Sequence, residues 1–472
     1  MSIHLLLLLS YSALLIGLGL WVGRAVAGAG DFFVARRKLS AGLLFSTVLA
    51  ANIGAGSTVG ATGLGYHHGL SAWWWNGSAG IGSILLAFWI GPRIWREASR
   101  HGYLTVGDFL ERRYGPAVRG VIAVLIWFGT VSILAGQLIG LAWILNVVAA
   151  IPKPVGCLLG GVVMTTYFAA GGLLGSAWIN LVQLVVLLGG FVVALPVVLQ
   201  SAGGLSAVLS GSSMPAGHVS FWGGGAPVTW LALLVPAFIV SPGLLQKVYG
   251  ARDERAVRTG VGFNAVALLV FAIVPALLGM SARALHPNLT NQELALPTLL
   301  VSDLPAMVGA LALAAVFSAE ISTSDAILFM LATSLSQDIY RRFVNPAATD
   351  RHLLAAARLA AAVGGILGIA LAMVSSTIIG ALSVFYALLG VSLFVPVVAG
   401  LHMRRAGTPE ALASIAAGIV VSLAVRLAFG GTGVGAVSPE MFGLAAAAVG
   451  FLFVGIARSR RPVDSDQRTV ER

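Results

Sequence analysis

Thirteen apolar runs, most of them about twenty residues long, constrain the fold of this chain more than any other feature of its sequence. A helix of that length spans the hydrocarbon core of a bilayer. The runs are continuous rather than alternating, which excludes a membrane β-barrel. With 58% hydrophobic and 10% charged residues, the composition also excludes a soluble enzyme, a disordered protein and a disulfide scaffold. We predict an all-α membrane protein, with one transmembrane domain over 1–472 and spans at 3–23, 41–66, 73–92, 120–148, 154–171, 176–200, 228–248, 260–281, 298–337, 354–374, 378–400, 409–429 and 437–457.

The basic residues indicate how the spans are oriented. If the N-terminus lies outside, 25 of the 28 Lys and Arg residues fall in cytoplasmic segments. Only Lys153 and Arg283 fall in outer loops, and Arg426 lies near the outer end of the twelfth span. Cytoplasmic loops accumulate basic residues, so we predict a multi-pass protein of the cell (inner) membrane with a cytoplasmic tail over 458–472. The net charge of +11 is therefore a property of short loops, and no nucleic-acid partner is expected.

The first span resembles a secretory signal because Ala25-Val26-Ala27 could be a cleavage site. The residues before it lack a basic region, and the apolar run is about twice the usual length. We expect this span to be retained.

Two spans carry residues that break a helix. The second contains Asn52-Ile53-Gly54-Ala55-Gly56 and continues to Gly60, and the seventh contains Ser241-Pro242-Gly243. Small-residue packing could explain the glycines, and an ordinary kink could explain the proline. The two breaks lie five spans apart, in spans that run in opposite directions, which is typical of inverted repeats. We predict repeats over about 41–200 and 228–400, with additional spans over 409–457.

Polar residues in the ninth span indicate a cation site. Of the acidic residues, only Glu320 and Asp325 are expected deep in a span, and no Lys or Arg is expected at that depth. Burying each acid costs about 2.5 kcal/mol or more unless something compensates. Hydroxyls together with carbonyls suit a hard monovalent cation, although hydroxyls bonded to their own helix are an alternative. The polar residues of this span are Ser318, Glu320, Ser322, Thr323, Ser324 and Asp325.

Catalytic patterns are not found in the sequence. It contains no phosphate-binding loop, catalytic triad or metal-ligand motif, and its single Cys157 excludes internal disulfides. We predict no enzymatic activity and no cofactor beyond a coupling ion. Asn76, Gln137 and Asn180 are further polar residues within spans, where each could bind a solute or join two helices.

Four groups of residues resemble the sodium:solute symporter family over nearly the whole chain. In that family the fold is a LeuT-type 5+5 inverted repeat with additional helices. The matching residues are Ala50-Ala51-Asn52-Ile53, then Gly171-Gly172-Leu173 with Ala177-Trp178 and Gln183, then Gln246-Lys247, and then Ser322-Thr323 ahead of Asp338-Ile339-Tyr340.

The resemblance implies where ions and solute bind. It places sodium at the carbonyls of Ala50, Ile53 and Ala319 and at the hydroxyls of Ser322 and Thr323. It places the solute near Gly56, Ser57, Asn76, Gln137 and Ser241. Many members have an Asp where this chain has Asn180, so one sodium per solute is expected, with Asn180 and Asp325 as possible coupling residues. Gln137 is the main polar group of the fourth span, which lacks the Arg of sialic acid transporters, and this disfavours sialic acid.

These patterns together indicate a secondary active symporter that imports a small organic solute with sodium. Its partners would be the solute, Na⁺ and the lipid bilayer. The N-termini of the half-helices favour an amino acid or a carboxylate over a sugar. A channel, a transport-like sensor and a proton-coupled carrier remain alternatives, and the sequence identifies neither the solute nor the oligomeric state.

Overall fold

The computed structural model describes residues 3–23, 37–168, 173–210, 214, 216–224, 226–403, 405–429, 433–434 and 437–459. Within these ranges the chain is helical, and β pairing is limited to single bridges between Leu39 and Ala251 and between Val434 and Val437. The prediction of an all-α membrane protein is confirmed.

Ten of the described helices are long and apolar enough to cross a membrane. Three shorter apolar helices accompany them, at His4–Leu14, Ala41–Asn52 and Lys153–Thr165. One of the short ones, Ala41–Asn52, is half of the predicted second span, because that span is divided by its break. The other half continues into the helical stretch Gly56–His101.

The first half of the chain contains ten helices among the described residues. They are α1 Ile3–Gly23, α2 Ala41–Asn52, α3 Ala61–His68, α4 Trp73–Leu85, α5 Gly91–His101, α6 Val106–Tyr114, α7 Pro116–Ala149, α8 Lys153–Phe168, α9 Leu173–Ser201 and α10 Leu205–Ser210. A π-helical turn over Gly56–Gly60 leads into α3, and another over Leu86–Ile90 joins α4 to α5.

The second half likewise contains ten described helices. They are α11 Pro227–Val240, α12 Pro242–Tyr249, α13 Glu254–Phe271, α14 Ile273–Leu285, α15 Ala295–Ser302, α16 Ala306–Thr333, α17 Asp350–Val374, α18 Ile378–His402, α19 Thr408–Ala428 and α20 Pro439–Ser459. A π-helical segment over Ser334–Val344 extends α16.

The boundaries predicted for the ninth span, 298–337, are wrong, because this range contains parts of two separate helices. The short helix α15 ends at Ser302, and the long helix α16 begins only after Pro305, which occupies its N-cap. A proline near a helix start costs no helical hydrogen bond, and the chain turns between α15 and α16 at this point. The long helix also continues past the predicted end, to Val344.

The helices pair in a pattern that the inverted repeat requires. The second span packs against the eighth, through α2 on α13 and α3 on α14, and the third packs against the seventh, through α4 on α11. The fourth packs against the eleventh, through α7 on α18, and the sixth against the ninth, through α9 on α16. Replacing each span by its equivalent five positions away turns the pair of second and eighth into seventh and third, and the pair of fourth and eleventh into ninth and sixth, so both halves use the same contacts. Hence the broken spans α2–α3 and α11–α12 lie in one bundle.

A short segment before α2, the Arg37–Leu39 strap, ties the bundle together at its predicted cytoplasmic end. The backbone of Leu39 exchanges hydrogen bonds of 3.0 Å with Gly250 and Arg252, just after α12. The Arg37 guanidinium donates to the carbonyls of Ala98, Tyr103 and Tyr249 at 2.9–3.0 Å. One side chain therefore joins the last turns of α5 and α12 to the loop that follows α5.

An ionic cluster at the same end joins α6 to α7 and to the extension of α16. The Arg119 guanidinium contacts Asp108 and Asp338 at 2.8 Å and Glu111 at 2.7 Å. Burial alone would raise the pKa of Glu111, but the guanidiniums of Arg119 and Arg342 hold it below its usual value. Asp338, part of a motif quoted above, thus has a structural role in this cluster.

Candidate functional site

The second span is interrupted as its glycines predicted. Helix α2 ends at Asn52, and Ile53 takes an extended conformation with φ −103° and ψ 97°. Regular helix geometry resumes with the turn that begins at Gly56. The break is buried, so its unpaired backbone groups need partners from other helices.

The seventh span is interrupted at Ser241, where φ is −52° and ψ is 120°. Helix α11 ends at Val240 and α12 begins with Pro242, whose missing amide suits the first position of a helix. Both predicted breaks are therefore confirmed.

Five oxygen atoms from two distant parts of the chain converge at the first break. The Ser322 hydroxyl donates to the carbonyls of Ala50 and Ala319, at 3.0 and 3.1 Å. The Thr323 hydroxyl lies 2.9 Å from the Ala50 carbonyl and 3.0 Å from the Ile53 carbonyl. These are the carbonyls and hydroxyls that the resemblance implied for sodium, and we call them the five-oxygen cluster.

The cluster has the chemistry of a monovalent cation site. All five ligand atoms are neutral oxygens, and the residues that carry them are buried. Ser322 also bonds within its own helix, to Ala319, as the alternative has it, but both hydroxyls reach carbonyls of the broken span, which bonding within α16 does not explain. Hard cations prefer such oxygens, and a neutral set suits a single positive charge.

A carboxyl group lies beside the cluster without a hydrogen-bonding partner. Glu320 is 0% exposed, and neither of its carboxyl oxygens is hydrogen-bonded within the described part of the chain. It faces α7 at Gly140, where an added Cβ would lie 2.7 Å from a Glu320 oxygen and 2.6 Å from Ala55. The prediction of a deep acid is confirmed for Glu320, and Asp325 is buried as well.

Four of the five predicted solute residues lie around the end of the first break that leads into α3. Gln137 accepts a 2.8 Å hydrogen bond from the Ala55 amide. Asn76 donates at 3.0 Å to the Ser57 carbonyl, and the Ser57 hydroxyl donates at 2.7 Å to the Asn52 carbonyl. Gly56 packs against Leu382 and Trp75. In this conformation these polar side chains hydrogen-bond to the backbone at the break, and they do not line the cavity near Ser241.

The fifth predicted solute residue, Ser241, lines a cavity of about 40 Å³ between the two breaks. That volume accommodates roughly three water molecules. The cavity is lined by residues of six helices and by the break residue Ser241, namely Ala51, Asn52, Ile133, Phe238, Ser241, Gly243, Leu244, Lys247, Ala326, Ile327, Met330, Phe385 and Tyr386. The structure thus divides the predicted solute residues between two places.

Lys247 corrects the expectation that no basic residue lies deep in the protein. The sequence argument placed it in a cytoplasmic loop, but it belongs to α12, is 2% exposed and lines the cavity. It lies four residues after Gly243 and three after Leu244, which puts all three on one helix face. Helical spacing from the break could have identified it.

Several buried acids were also missed. Glu293 is buried and accepts hydrogen bonds from the Trp143 indole at 2.8 Å and the Ile378 amide at 2.5 Å. Asp338, Glu410 and Glu440 are buried in ion pairs with arginines. Each has a partner, unlike Glu320, so these groups serve packing between helices.

Asn180 lies close to the helix that carries two cluster carbonyls. Its side-chain amide donates to the Thr47 hydroxyl at 3.4 Å, one turn before Ala50. Of the family motif near it, Gly171 and Gly172 lie outside the described residues, and Gln183 is buried on α9.

Comparison with known proteins gives a consistent result. The model of the sodium:solute symporter family matches residues 32–418. The human sodium/iodide cotransporter is 25% identical, with 87% of this chain and 67% of that protein covered. The Escherichia coli (strain K12) sodium/pantothenate symporter is 29% identical, with 66% of each covered. The chain thus spans about two thirds of the length of these relatives.

Solved structures share the fold. A Na⁺-coupled sialic acid symporter in its substrate-bound outward-open state has a TM-score of 0.82 at 18% identity, with 97% of this chain and 98% of that one covered. A nucleobase-cation-symport-1 family transporter in a closed conformation has a TM-score of 0.58 at 16% identity, with 92% and 96% covered. Both likenesses establish the LeuT-type fold.

Proposed function

Because the chain belongs to the sodium:solute symporter family, we propose that it couples the inward flow of sodium to the uptake of a small organic solute. It is a membrane transporter and not an enzyme. Transport would occur by alternating access, in which the solute and ion sites open first to one side and then to the other.

The observation that carries this proposal is the five-oxygen cluster. It joins the broken span, at Ala50 and Ile53, to the long helix α16, at Ala319, Ser322 and Thr323. These two elements belong to different halves of the fold. A cation bound between them favours the conformations in which they are close, and this differential binding is what couples an ion gradient to a movement.

We propose one sodium ion per solute. Asn180 provides an amide where a carboxylate would balance a second cation, and a second uncompensated charge is costly in a membrane interior. Asp325 is the residue that could instead supply this charge from α16.

The test removes the two hydroxyls, as Ser322→Ala with Thr323→Ala. Thermal unfolding of the purified protein is followed in sodium chloride and in choline chloride at one pH, since an ion stabilises the protein that binds it. We expect the half-saturating sodium concentration to rise at least tenfold, or about 1.4 kcal/mol. The wild-type titration should fit a single site.

The matched control, Thr333→Ala with Ser334→Ala, removes two other hydroxyls from the same long helix. Thr333 bonds to its own helix and Ser334 to the Ala123 carbonyl, away from the cluster, so the sodium requirement should stay unchanged. An unchanged requirement in the Ser322/Thr323 variant would remove the cluster as the sodium site. No sodium effect on the wild type would favour the proton-coupled alternative.

A further inference from the structure

The Lys247 ammonium is a charge that the sodium site does not explain. Its side chain is 2% exposed and faces the cavity between the breaks. It makes no hydrogen bond and no ion pair with another described residue. The buried carboxyl group of Asp325 on α16 attracts its charge, and Asp325 does not line the cavity.

An ammonium in this position is costly unless it serves a ligand. Lys247 lies two residues before the end of α12, and a buried lysine in a membrane protein marks a substrate or ion path. Side chains on a helix lean toward its N-terminus, which directs Lys247 back toward the break at Ser241. Because its charge is positive and it lines the cavity with Ser241 rather than the five-oxygen cluster, the ligand that it would bind is an anion and not the coupling cation.

The N-terminus of α12 also favours an anion at this break. The helix starts at Pro242, so its first free amides and the positive end of its dipole lie at the same break. A carboxylate near Ser241 would therefore meet partial positive charge from the backbone and a full charge from Lys247.

The remaining lining limits what else the ligand can carry. Besides Lys247, only Asn52, Ser241 and the Tyr386 hydroxyl offer polar side-chain atoms. The other side chains are apolar, and Phe238 and Phe385 pack on the Tyr386 ring at centroid distances of 5.5 and 5.2 Å. A sugar would leave hydroxyls without partners, a dicarboxylate would lack a second cation, and the ammonium of an amino acid would find no acid in the lining.

We infer that the solute is a small monocarboxylate with an apolar body, and that Lys247 binds its carboxylate. This inference names the solute class of the symport proposed above and rests on that proposal. The cavity is narrow in this conformation, so the solute-bound form must be wider there, with the same side chains facing the solute.

The first test needs only the wild-type protein and pairs of probes that differ in charge. Thermal unfolding in saturating sodium chloride is measured with propionate and propionamide, isobutyrate and isobutyramide, and benzoate and benzamide. We expect at least one acid to stabilise the protein and its amide to have at least a tenfold weaker effect. Glucose and phenylalanine should have none. If no acid stabilises the protein, or if an amide, glucose or phenylalanine does so as well as the acids, the inference is overturned.

The second test asks whether Lys247 supplies the positive charge that binds the acid. Lys247→Gln should weaken binding of the active acid at least tenfold, whereas Lys247→Arg should keep it within a few-fold. Lys153→Gln is the matched control, because Lys153 bonds to the Ser375 carbonyl elsewhere and its loss should leave acid binding unchanged. Unchanged acid binding in Lys247→Gln would overturn the role of Lys247.

Sodium alone separates this inference from the proposed function. If sodium stabilises the wild type but no acid does, the solute class is wrong and the ion site remains. If sodium has no effect while an acid binds, sodium coupling is wrong and the role of Lys247 remains.

Discussion

Gly54 lies between Thr323 of the five-oxygen cluster and the Gln137 side chain, which hydrogen-bonds to the first break. A Cβ atom at this position would lie 2.5 Å from the side-chain oxygen of Gln137 and 2.6 Å from the Thr323 hydroxyl. Real Cβ atoms do not approach so closely, so one of these side chains would have to move. Gln137 holds the Ala55 amide and Thr323 belongs to the five-oxygen cluster, hence either movement disturbs the site.

Gly54→Ala should therefore weaken sodium binding, with a tenfold or greater rise in the half-saturating sodium concentration. The control is Gly42→Ala in α2, where an added Cβ meets nothing within 4 Å. Sodium titration of thermal unfolding checks both variants. Equal sodium requirements in the two would contradict the contact at Thr323.

At this scale, the sequence predicted residues that belong to motifs and missed those that depend on packing. Ser322 and Thr323 could be named because hydroxyls in an apolar span are visible in the sequence, whereas the carbonyls at Ala50 and Ile53 were implied by the resemblance to the family. Lys247 was missed, although its helical spacing from the break was visible, because charge counting assigns a basic residue near the end of a span to a loop. Only the packing of α12 against neighbouring helices shows that it is buried.

At the scale of whole helices, the two breaks and the Arg37–Leu39 strap determine which parts can move separately. Breaks at Ile53 and Ser241 divide two spans into halves, and the Arg37–Leu39 strap joins the ends of α5 and α12 to the start of α2. The guanidinium of Arg37 makes three hydrogen bonds to carbonyls, and bonds from charged groups are about twice as strong as neutral ones. The strap should therefore make the predicted cytoplasmic end of the bundle move as one body.

Arg37→Gln should loosen this end without unfolding the protein. Hydrogen exchange of the backbone amides in 98–105 and 247–252 should become about tenfold faster, which corresponds to a loss of about 1.4 kcal/mol in local stability. Exchange in α18 should not change. Lys38→Gln, an exposed neighbour, serves as the control. The strap would have no such role if both variants exchanged alike.

The elements themselves were predictable where glycine or proline marked them. Both breaks and most spans followed from the sequence, because a broken or apolar helix is a local property. The division between α15 and α16 did not, since Asp303 and Pro305 interrupt an apolar run that is otherwise long enough for one span. The turn there depends on how the two helices pack.

For the whole molecule, the charge distribution and the lipid-facing surface describe how the chain lies in a bilayer. Val185 and Val192 on α9 are 68% and 72% exposed and lie seven residues apart, so they share a helix face. Apolar exposure of this kind suits lipid rather than water. The direction of insertion rests on the bias of Lys and Arg, which predicts an outer N-terminus and a cytoplasmic C-terminus.

Cysteine labelling tests this orientation in a Cys157→Ala background. Ser99 and Ser220 are exposed and lie in segments predicted on opposite sides. With a membrane-impermeant maleimide on intact cells, Ser220→Cys should be labelled and Ser99→Cys should not, and the reverse should hold for inverted vesicles. Labelling of Ser220→Cys from the cytoplasm alone would refute the thirteen-span arrangement.

The number of spans and the inverted repeat were predictable at this scale, but the partners of each span were not. Neither hydropathy nor charge shows that α2 packs on α13 or that α7 packs on α18. These pairings follow from side-chain shape between residues far apart in the chain.

The long separation between partners has a consequence for how the protein is made. Asn52 pairs with Asn264, 212 residues later, and the Ala50 carbonyl meets Thr323, 273 residues later. At a synthesis rate of about 5–20 residues per second, the second interval lasts roughly 15–55 s. During that time the carbonyls of Ala50 and Ile53 lack their Thr323 partner, so water or the insertion machinery has to solvate them until the second half is synthesised.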